Sequence, residues 1–166
     1  RSRWPGLPGA ISNPWAAGAL ESVPLDAPVL VLGTGLTMVD VALALEDRGF
    51  RSQFLAISRR GLLPNVHAPR PPRPFAVEPL PDQPTARALV RAVRERVARF
   101  AREGRDWREA VDSLRADTPR LWRALPFAEQ RRFFRHARAY WEVARHRVAP
   151  EIKARIDGLV ARGALS

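Results

Sequence analysis

Two short apolar runs, separated by a helix-like stretch, mark the first third of the chain. Residues 28–32 read Pro-Val-Leu-Val-Leu, which is typical of a strand buried on both faces of a parallel sheet. From Leu36 to Arg48 apolar residues recur at helical spacing, and Gly49 occupies the position where helices commonly end. Residues 53–57 indicate a second strand. This order predicts a βαβ unit with a right-handed crossover.

Apolar residues at spacings of three and four predict helices through the second half of the chain. Thr118 is expected to cap the third of these helices, with Pro119 as its first residue. Trp107, Trp122 and Trp141 fall at positions that we expect to be largely buried where the helices pack. The predicted helices cover residues 85–104, 107–114, 118–125, 126–148 and 150–163.

The patterns together predict an α/β fold, in which a partial Rossmann-like βαβ unit precedes a predominantly helical C-terminal half. Seven prolines between 69 and 84 indicate an extended connection rather than a helix or strand. The expected segments are a lead-in loop at 1–27, the Rossmann-like βαβ unit at 28–68, a proline-rich linker at 69–84 and a helical subdomain at 85–166.

Composition excludes several classes of site. The chain has 166 residues, of which 46% are hydrophobic and 27% charged, as in a globular domain. It contains no cysteine, which excludes disulfides, thiolate nucleophiles and iron–sulfur clusters. The three histidines show no metal-binding spacing, so we expect no metal site. No apolar run approaches the roughly 18 residues of a membrane span, and a cytoplasmic location without a membrane partner is expected.

Positive charge is concentrated in the second half of the chain. Residues 1–83 hold 8 basic and 7 acidic side chains, whereas residues 84–166 hold 20 and 10. A basic half attracts polyanions, so an alternative function is a basic helical interaction module that binds nucleic acid or a partner protein. Aromatic residues at core-type spacing argue against nucleic acid.

The predicted helix 126–148 carries both an aromatic side and an arginine side. An ion-paired, solvated arginine face and a surface that docks phosphate or another domain both remain open. The residues expected on the inner side are Phe127, Gln130, Phe133, Phe134, Ala137, Tyr140 and Trp141. Those expected on the arginine face are Arg131, Arg135, Arg138 and Arg145, with Glu142 between the last two.

A glycine-rich turn lies where a dinucleotide fingerprint begins. Gly33, Thr34 and Gly35 follow the first strand directly and open the predicted helix. The first glycine permits the tight turn, and the second lets the backbone approach a pyrophosphate without a Cβ in the way. The free N–H groups at Leu36 and Thr37 and the positive end of the helix dipole would complete the anion site.

The end of the second strand favours NADPH over NADH. Enzymes that use NAD place a carboxylate there for the ribose 2′-hydroxyl, but this chain has Ser58, Arg59 and Arg60. Guanidinium groups suit the dianionic 2′-phosphate of NADPH. Two solvated loop arginines in an arginine-rich protein are the alternative interpretation.

Three sequence blocks carry a wider similarity. They are Val29-Leu-Val-Leu-Gly-Thr-Gly-Leu-Thr-Met-Val-Asp40, Ile57-Ser-Arg-Arg-Gly-Leu-Leu-Pro64 with His67, and Phe134-Arg-His136 with Trp141-Glu142 and Arg145-His-Arg147. In this order they resemble a family of bacterial FAD/NAD(P)-binding proteins, related to flavin-containing and N-hydroxylating monooxygenases. The resemblance places Gly33, Gly35, Thr37 and Asp40 on the NAD(P)H-domain motif, with Met38 where a small residue is usual.

The resemblance also implies a second nucleotide that this chain has no fingerprint for. The family binds FAD through another GxG motif, and the chain contains none besides the turn at Gly33. Residues 163–165 look like the start of a further strand, and the first residue is not methionine. We therefore interpret the chain as the NADPH-binding region, with a helical insertion, of a longer FAD-dependent oxidoreductase. The isolated chain is expected to lack FAD, activity and catalytic side chains; substrate and oligomeric state stay open.

Overall fold

A computed structural model describes residues 7–68 and 78–166 of the chain. The fold is mixed α/β and mostly helical, as the sequence predicts. Of the predicted linker, residues 69–77 lie outside the described residues, and 78–84 form neither helix nor strand. The elements are β1 (Val29–Leu32), α1 (Leu36–Asp47), β2 (Phe54–Ile57), α2 (Ala86–Arg102), α3 (Trp107–Asp112), α4 (Thr118–Ala124), α5 (Phe127–His136), α6 (Arg138–Arg145) and α7 (Pro150–Ala161).

The described residues fall into two compact units. The first, which we call the sheet unit, comprises the described residues up to Gly61 together with Ala154–Ser166. The second, the helical unit, comprises the described residues of Leu62–Lys153. The last 13 residues of the chain therefore belong with the βαβ segment rather than with the helical segment in which the sequence placed them. Within the described part of the chain, no helix has the length and apolar character needed to cross a membrane.

The sheet unit is built on two parallel strands, as predicted. Val29 lies opposite Phe54, and Leu32 opposite Ile57. The C-terminal residues continue the sheet on the far side of β2, where Leu165 pairs with Phe54 in a parallel bridge. The Phe54 N–H donates to the Ala164 carbonyl at 2.8 Å and the Ser166 N–H to the Phe54 carbonyl at 3.0 Å. The strand start expected at residues 163–165 is thus present.

Only one face of this sheet is covered, which corrects the prediction that the first strand is buried on both faces. Along β1 burial alternates, and Leu30 and Leu32 are 57% and 62% exposed. On β2, Leu55 and Ile57 are also about half exposed. Successive side chains of a strand point to opposite faces. An uninterrupted apolar run therefore cannot show how many of those faces meet other residues.

The covered side of the sheet unit has a dense apolar core. Helix α1 contributes Met38, Val39, Val41, Ala42, Leu43 and Leu45 to it. Phe54 from β2 is 1% exposed, and its ring stacks on that of Phe50 with centroids 4.3 Å apart. Gly49 has φ +85° just beyond α1, and the preceding turn closes with the Phe50 N–H donating to the Leu45 carbonyl at 3.0 Å. The predicted helix end is therefore confirmed.

The helical unit packs short amphipathic helices around a second core. Leu80, Leu114 and Leu121 form its buried cluster. Residues packed against that cluster are Leu89, Ala92, Val93 and Trp141. Helix α2 begins where the Thr85 hydroxyl accepts from the Ala88 N–H, and Asp106 caps α3 in the same manner. These side chains satisfy N–H groups that a helix otherwise leaves without partners.

Two predictions about helix limits in this unit are wrong. Thr118 lies inside α4, whose N-cap is Asp117, and the Thr118 hydroxyl donates to the Leu114 carbonyl at 2.7 Å. The single helix predicted over 126–148 is two helices that meet at Ala137, where φ is −113°. The sequence around Ala137 contains neither glycine nor proline, so no local signal marks the break.

Two arginines of the helical unit are buried rather than solvated. Arg96 is 5% exposed; it donates to the Ser113 hydroxyl at 3.1 Å and to the Glu78 carbonyl at 2.6 Å. Burial, together with the neighbouring charge of Arg99, lowers the pKa of Arg96 from its ordinary value. Arg147 contacts both oxygens of the Asp112 carboxylate, at 2.5 and 2.6 Å.

Candidate functional site

The carboxyl ends of β1 and β2 bring the two predicted site segments to one edge of the sheet. The Gly33 N–H donates to the Ile57 carbonyl at 2.8 Å. The Thr34 hydroxyl, which is buried, donates to Ser58 Oγ at 2.9 Å, and the Gly61 N–H donates to the same oxygen at 3.0 Å. Because these bonds join the loop after β1 to the loop after β2, the glycine-rich turn and the serine–arginine segment lie side by side.

The two glycines of the turn have different structural roles. Gly33 has φ +116°, a backbone conformation that residues with a Cβ rarely adopt. Gly35 has φ −85° and ψ −167°, which any residue can adopt, and a Cβ built on it meets no atom within 4 Å. Gly33 is thus required by the backbone. Gly35 leaves open space directly before the first residue of α1.

The residues at the start of α1 provide neither a side-chain cap nor a negative charge. Gly35 provides no side-chain hydrogen bond, and the first turn contains no acidic residue. The first N–H groups of a helix, here at Leu36 and Thr37, have no partner within the helix and carry the positive end of its dipole. Met38, at the third fingerprint position, is 2% exposed and packs in the core.

The predicted 2′-phosphate residues lie on the exposed part of the same edge. Arg59 and Arg60 directly follow Ser58 and are both exposed. Asp40, which the resemblance places on the NAD(P)H-domain motif, is exposed on α1. The structure therefore brings together the turn and the serine–arginine segment, and the residues that directly follow β2, Ser58 to Gly61, include no carboxylate.

The arginine face expected in the helical unit is divided by the break at Ala137. Arg131 and Arg135 belong to α5, whereas Arg138 and Arg145 belong to α6. Arg138 Nε donates to the Glu142 carboxylate at 3.3 Å, and the other oxygen of that carboxylate lies 2.8 Å from His146 Nδ1. Arg138 and Glu142 form an ion pair on the surface of α6. The four arginines are divided between two helices rather than placed on the single helix that the sequence predicts.

The aromatic residues of the helical unit surround a groove that sequence reasoning missed. It has a volume of about 690 Å3. The aromatic rings that line it are those of Trp107, Trp122, Phe133, Phe134, Tyr140 and Trp141. The three tryptophans are half-buried, so they do not form an exposed platform, and Trp141 also packs against the core cluster.

The assignment of Phe127, Phe134 and Tyr140 to an inner side is wrong, because all three are exposed. The hydrophobic periodicity of the sequence identified the apolar side of each helix. It contained no information about how closely the apolar sides of neighbouring helices approach one another.

Comparisons with known proteins add no family to this picture. No family model, no curated protein and no solved structure matches the chain. Within the described residues, no group of three or more histidine, aspartate or glutamate side chains is arranged to hold a metal ion. The geometry of the sheet edge is therefore the basis on which a function can be argued.

Proposed function

We propose that this chain is the NADPH-binding region of a FAD-dependent, monooxygenase-like oxidoreductase. In this proposal NADPH delivers a hydride to a flavin that is held by a part of the protein outside this sequence. The chain binds and orients the nicotinamide cofactor, and the redox chemistry belongs to the cofactors. No catalytic side chain is assigned here.

The observation that carries the proposal is the pairing of the open turn with the arginine segment. Gly35 provides no side-chain cap and leaves space next to the first N–H groups of α1, at Leu36 and Thr37, a donor set that suits a pyrophosphate. Arg59 and Arg60, on the adjoining loop, supply guanidinium groups for the 2′-phosphate. The bond from Thr34 to Ser58 keeps the two loops in register.

The uncovered face of the sheet also supports the proposal. In α/β proteins with parallel strands, other elements cover both faces. Here Leu30, Leu32, Leu55 and Ile57 present an apolar surface to solvent. Such a surface agrees with a parent protein in which the flavin-binding part packs against this face.

Cofactor choice provides the first test. We expect Arg59→Ala/Arg60→Ala to lower NADPH affinity at least tenfold, because each charge-assisted contact contributes about 1.5 to 3 kcal/mol before screening. NADH affinity should barely change, since NADH lacks the 2′-phosphate. Calorimetric titration at low salt measures both, and Arg87→Ala/Arg91→Ala, which removes the same charge from exposed positions of α2, is the matched control.

Gly35→Ser provides the second test. Serine is a favourable N-cap residue and the backbone at Gly35 suits it, so the variant should fold at least as stably as the wild type. Its side chain would nevertheless occupy the space proposed for the pyrophosphate and weaken the binding of NADPH and NADH alike.

Absence of binding of either dinucleotide to the wild-type chain would refute the proposed function. Equal loss of both in the double arginine variant would refute the NADPH preference alone.

A further inference from the structure

The groove of the helical unit is shaped like a small-molecule site rather than like a packing defect. Its volume of about 690 Å3 lies in the range of roughly 300 to 1,000 Å3 found for ligand pockets. Its lining residues fall between Leu89 and Ala144, all within this unit. The core cluster of Leu80, Leu114 and Leu121 packs against Val93 and Trp141, which also line the groove. The base of the groove is therefore anchored to ordered core residues.

The aromatic rings along the groove are held in defined orientations. The Trp122 ring meets the rings of Phe133 and Phe134 edge to face, with centroids 5.8 and 5.1 Å apart. Trp122 comes from α4, and the two phenylalanines from α5. Rings fixed in this way offer faces and edges to which another aromatic system can pack.

The charged groups that line the groove are unequally paired. Arg138 is bound to Glu142, and its guanidinium carbon lies 5.4 Å from the Phe134 ring centroid. Arg94, on α2, is exposed and has no ion pair among the described residues. Among the described residues, the groove thus combines apolar aromatic walls with a guanidinium group, that of Arg94, that forms no ion pair.

We propose that this groove binds an aromatic small molecule that carries a single anionic group, with the anion on Arg94 and the ring system between the aromatic walls. The chemistry of the lining supports each part of that ligand: stacking surface, apolar volume and one available cation. The groove shares no lining residue with the proposed nucleotide site, and the proposal does not depend on the proposed function.

Two fluorescent probes test the proposal. 1-Anilinonaphthalene-8-sulfonate is an aromatic anion, and N-phenyl-1-naphthylamine has the same ring systems without the charge. We expect both to bind the folded chain at one saturable site, the anionic probe about fivefold more tightly because of Arg94. Energy transfer from tryptophan to the bound probe should accompany binding, since three tryptophans line the groove.

A charge variant separates the anion contact from general attraction to a basic protein. Arg94→Gln should lower affinity for the anionic probe about fivefold and leave the neutral probe unaffected. Arg91→Gln removes the same charge from an exposed position of the same helix that does not line this groove, so it should alter neither affinity beyond the margin of error. Equal effects of the two variants would overturn the assignment of the anion to Arg94.

Filling the groove tests the site itself. Ala144→Phe places a ring among the lining residues and should abolish binding of both probes, whereas Ala128→Phe, at an exposed position of α5, should not. If Ala144→Phe fails to fold, the comparison of Arg94→Gln with Arg91→Gln still tests whether the groove binds the anionic probe.

Binding of the probes at many non-saturable sites, as in a molten state, would overturn the proposal. Loss of probe binding as the protein dimerises with concentration would assign the groove to a second copy instead.

Discussion

The sheet unit and the helical unit leave different kinds of surface open. In the sheet unit, Phe54 lies in the core, whereas Leu55, the next residue of the same strand, is exposed on the uncovered sheet face. In the helical unit most of the large aromatic residues are only partly buried and share a concave groove. A flat apolar face suits the docking of another layer of structure, whereas a concave aromatic groove suits a small ligand.

The two units also differ in how their helices α1 and α2 are capped at the N-terminus. Helix α2 begins with the Thr85 hydroxyl accepting from the Ala88 N–H at 3.1 Å, so the chain satisfies its own helix end. Helix α1 begins after Gly35 with no such cap. Helix α2 is therefore capped by a side chain of its own N-cap residue, whereas the N-cap residue of α1, Gly35, has no side chain to provide a cap.

The largest expected effect separates the covered and uncovered faces of the sheet. Phe54→Ala should lower the free energy of unfolding by about 3 to 5 kcal/mol, because it removes a buried, stacked ring. Leu55→Ala, one residue along the same strand, should cost about 1 kcal/mol or less, since Leu55 is 48% exposed. Urea unfolding of the two variants measures the difference. A comparable loss in both would mean that the exposed face is covered in solution.

A smaller effect is expected at the capped helix. Thr85→Ala should destabilise the chain by about 1 kcal/mol, because the Ala88 N–H loses its partner. Thr85→Ser keeps the hydroxyl and should retain most of the stability. Chemical denaturation followed by circular dichroism provides the measurement. If Thr85→Ala proved neutral while Gly35→Ser destabilised, the contrast between the two helix starts would be contradicted.

The smallest effect concerns the carboxylate that links α1 to α7 within the sheet unit. Glu46 accepts a hydrogen bond from Arg155 at 2.7 Å and another from Arg162. Burial by itself raises the pKa of Glu46, but the hydrogen bonds and charges of the two arginines outweigh it and hold the pKa below its ordinary value of 4.5. A lowered pKa in the folded state means that ionised Glu46 stabilises the fold.

Glu46→Gln should therefore cost about 0.5 to 1 kcal/mol near neutral pH, a modest amount because the site is partly solvated. The stabilisation is present above the pKa of the unfolded chain and is lost as pH falls through the lower folded-state pKa, so the two proteins should converge in stability once pH lies below that folded-state pKa. Denaturant unfolding of the wild type and of Glu46→Gln, measured from neutral to acidic pH, tests this expected convergence. Glu95→Gln, on the exposed side of α2, should show no such convergence.

Sequence alone determined the features that depend on local backbone preference. Gly49, Gly104 and Gly163 all adopt positive φ at the predicted helix ends, because glycine adopts that conformation without steric cost. Both strands and their parallel pairing were predictable from two apolar runs joined by a helix. The candidate site was predictable to the same degree, since a turn and a loop that follow parallel strands must meet at one sheet edge.

Only the tertiary structure decided which side chains are covered. A strand of uniform apolar character gave no signal that Leu30 and Leu32 would face solvent. Arg96 would be expected in water from its type, yet the Glu78 carbonyl, 18 residues away, makes its burial possible. Likewise Ala137 carries no helix-breaking signal, although its turn lets rings from α5 and α6 line one groove. The burial of a side chain depends on contacts with residues that are far away in the sequence, and the local pattern of apolar residues does not indicate those contacts.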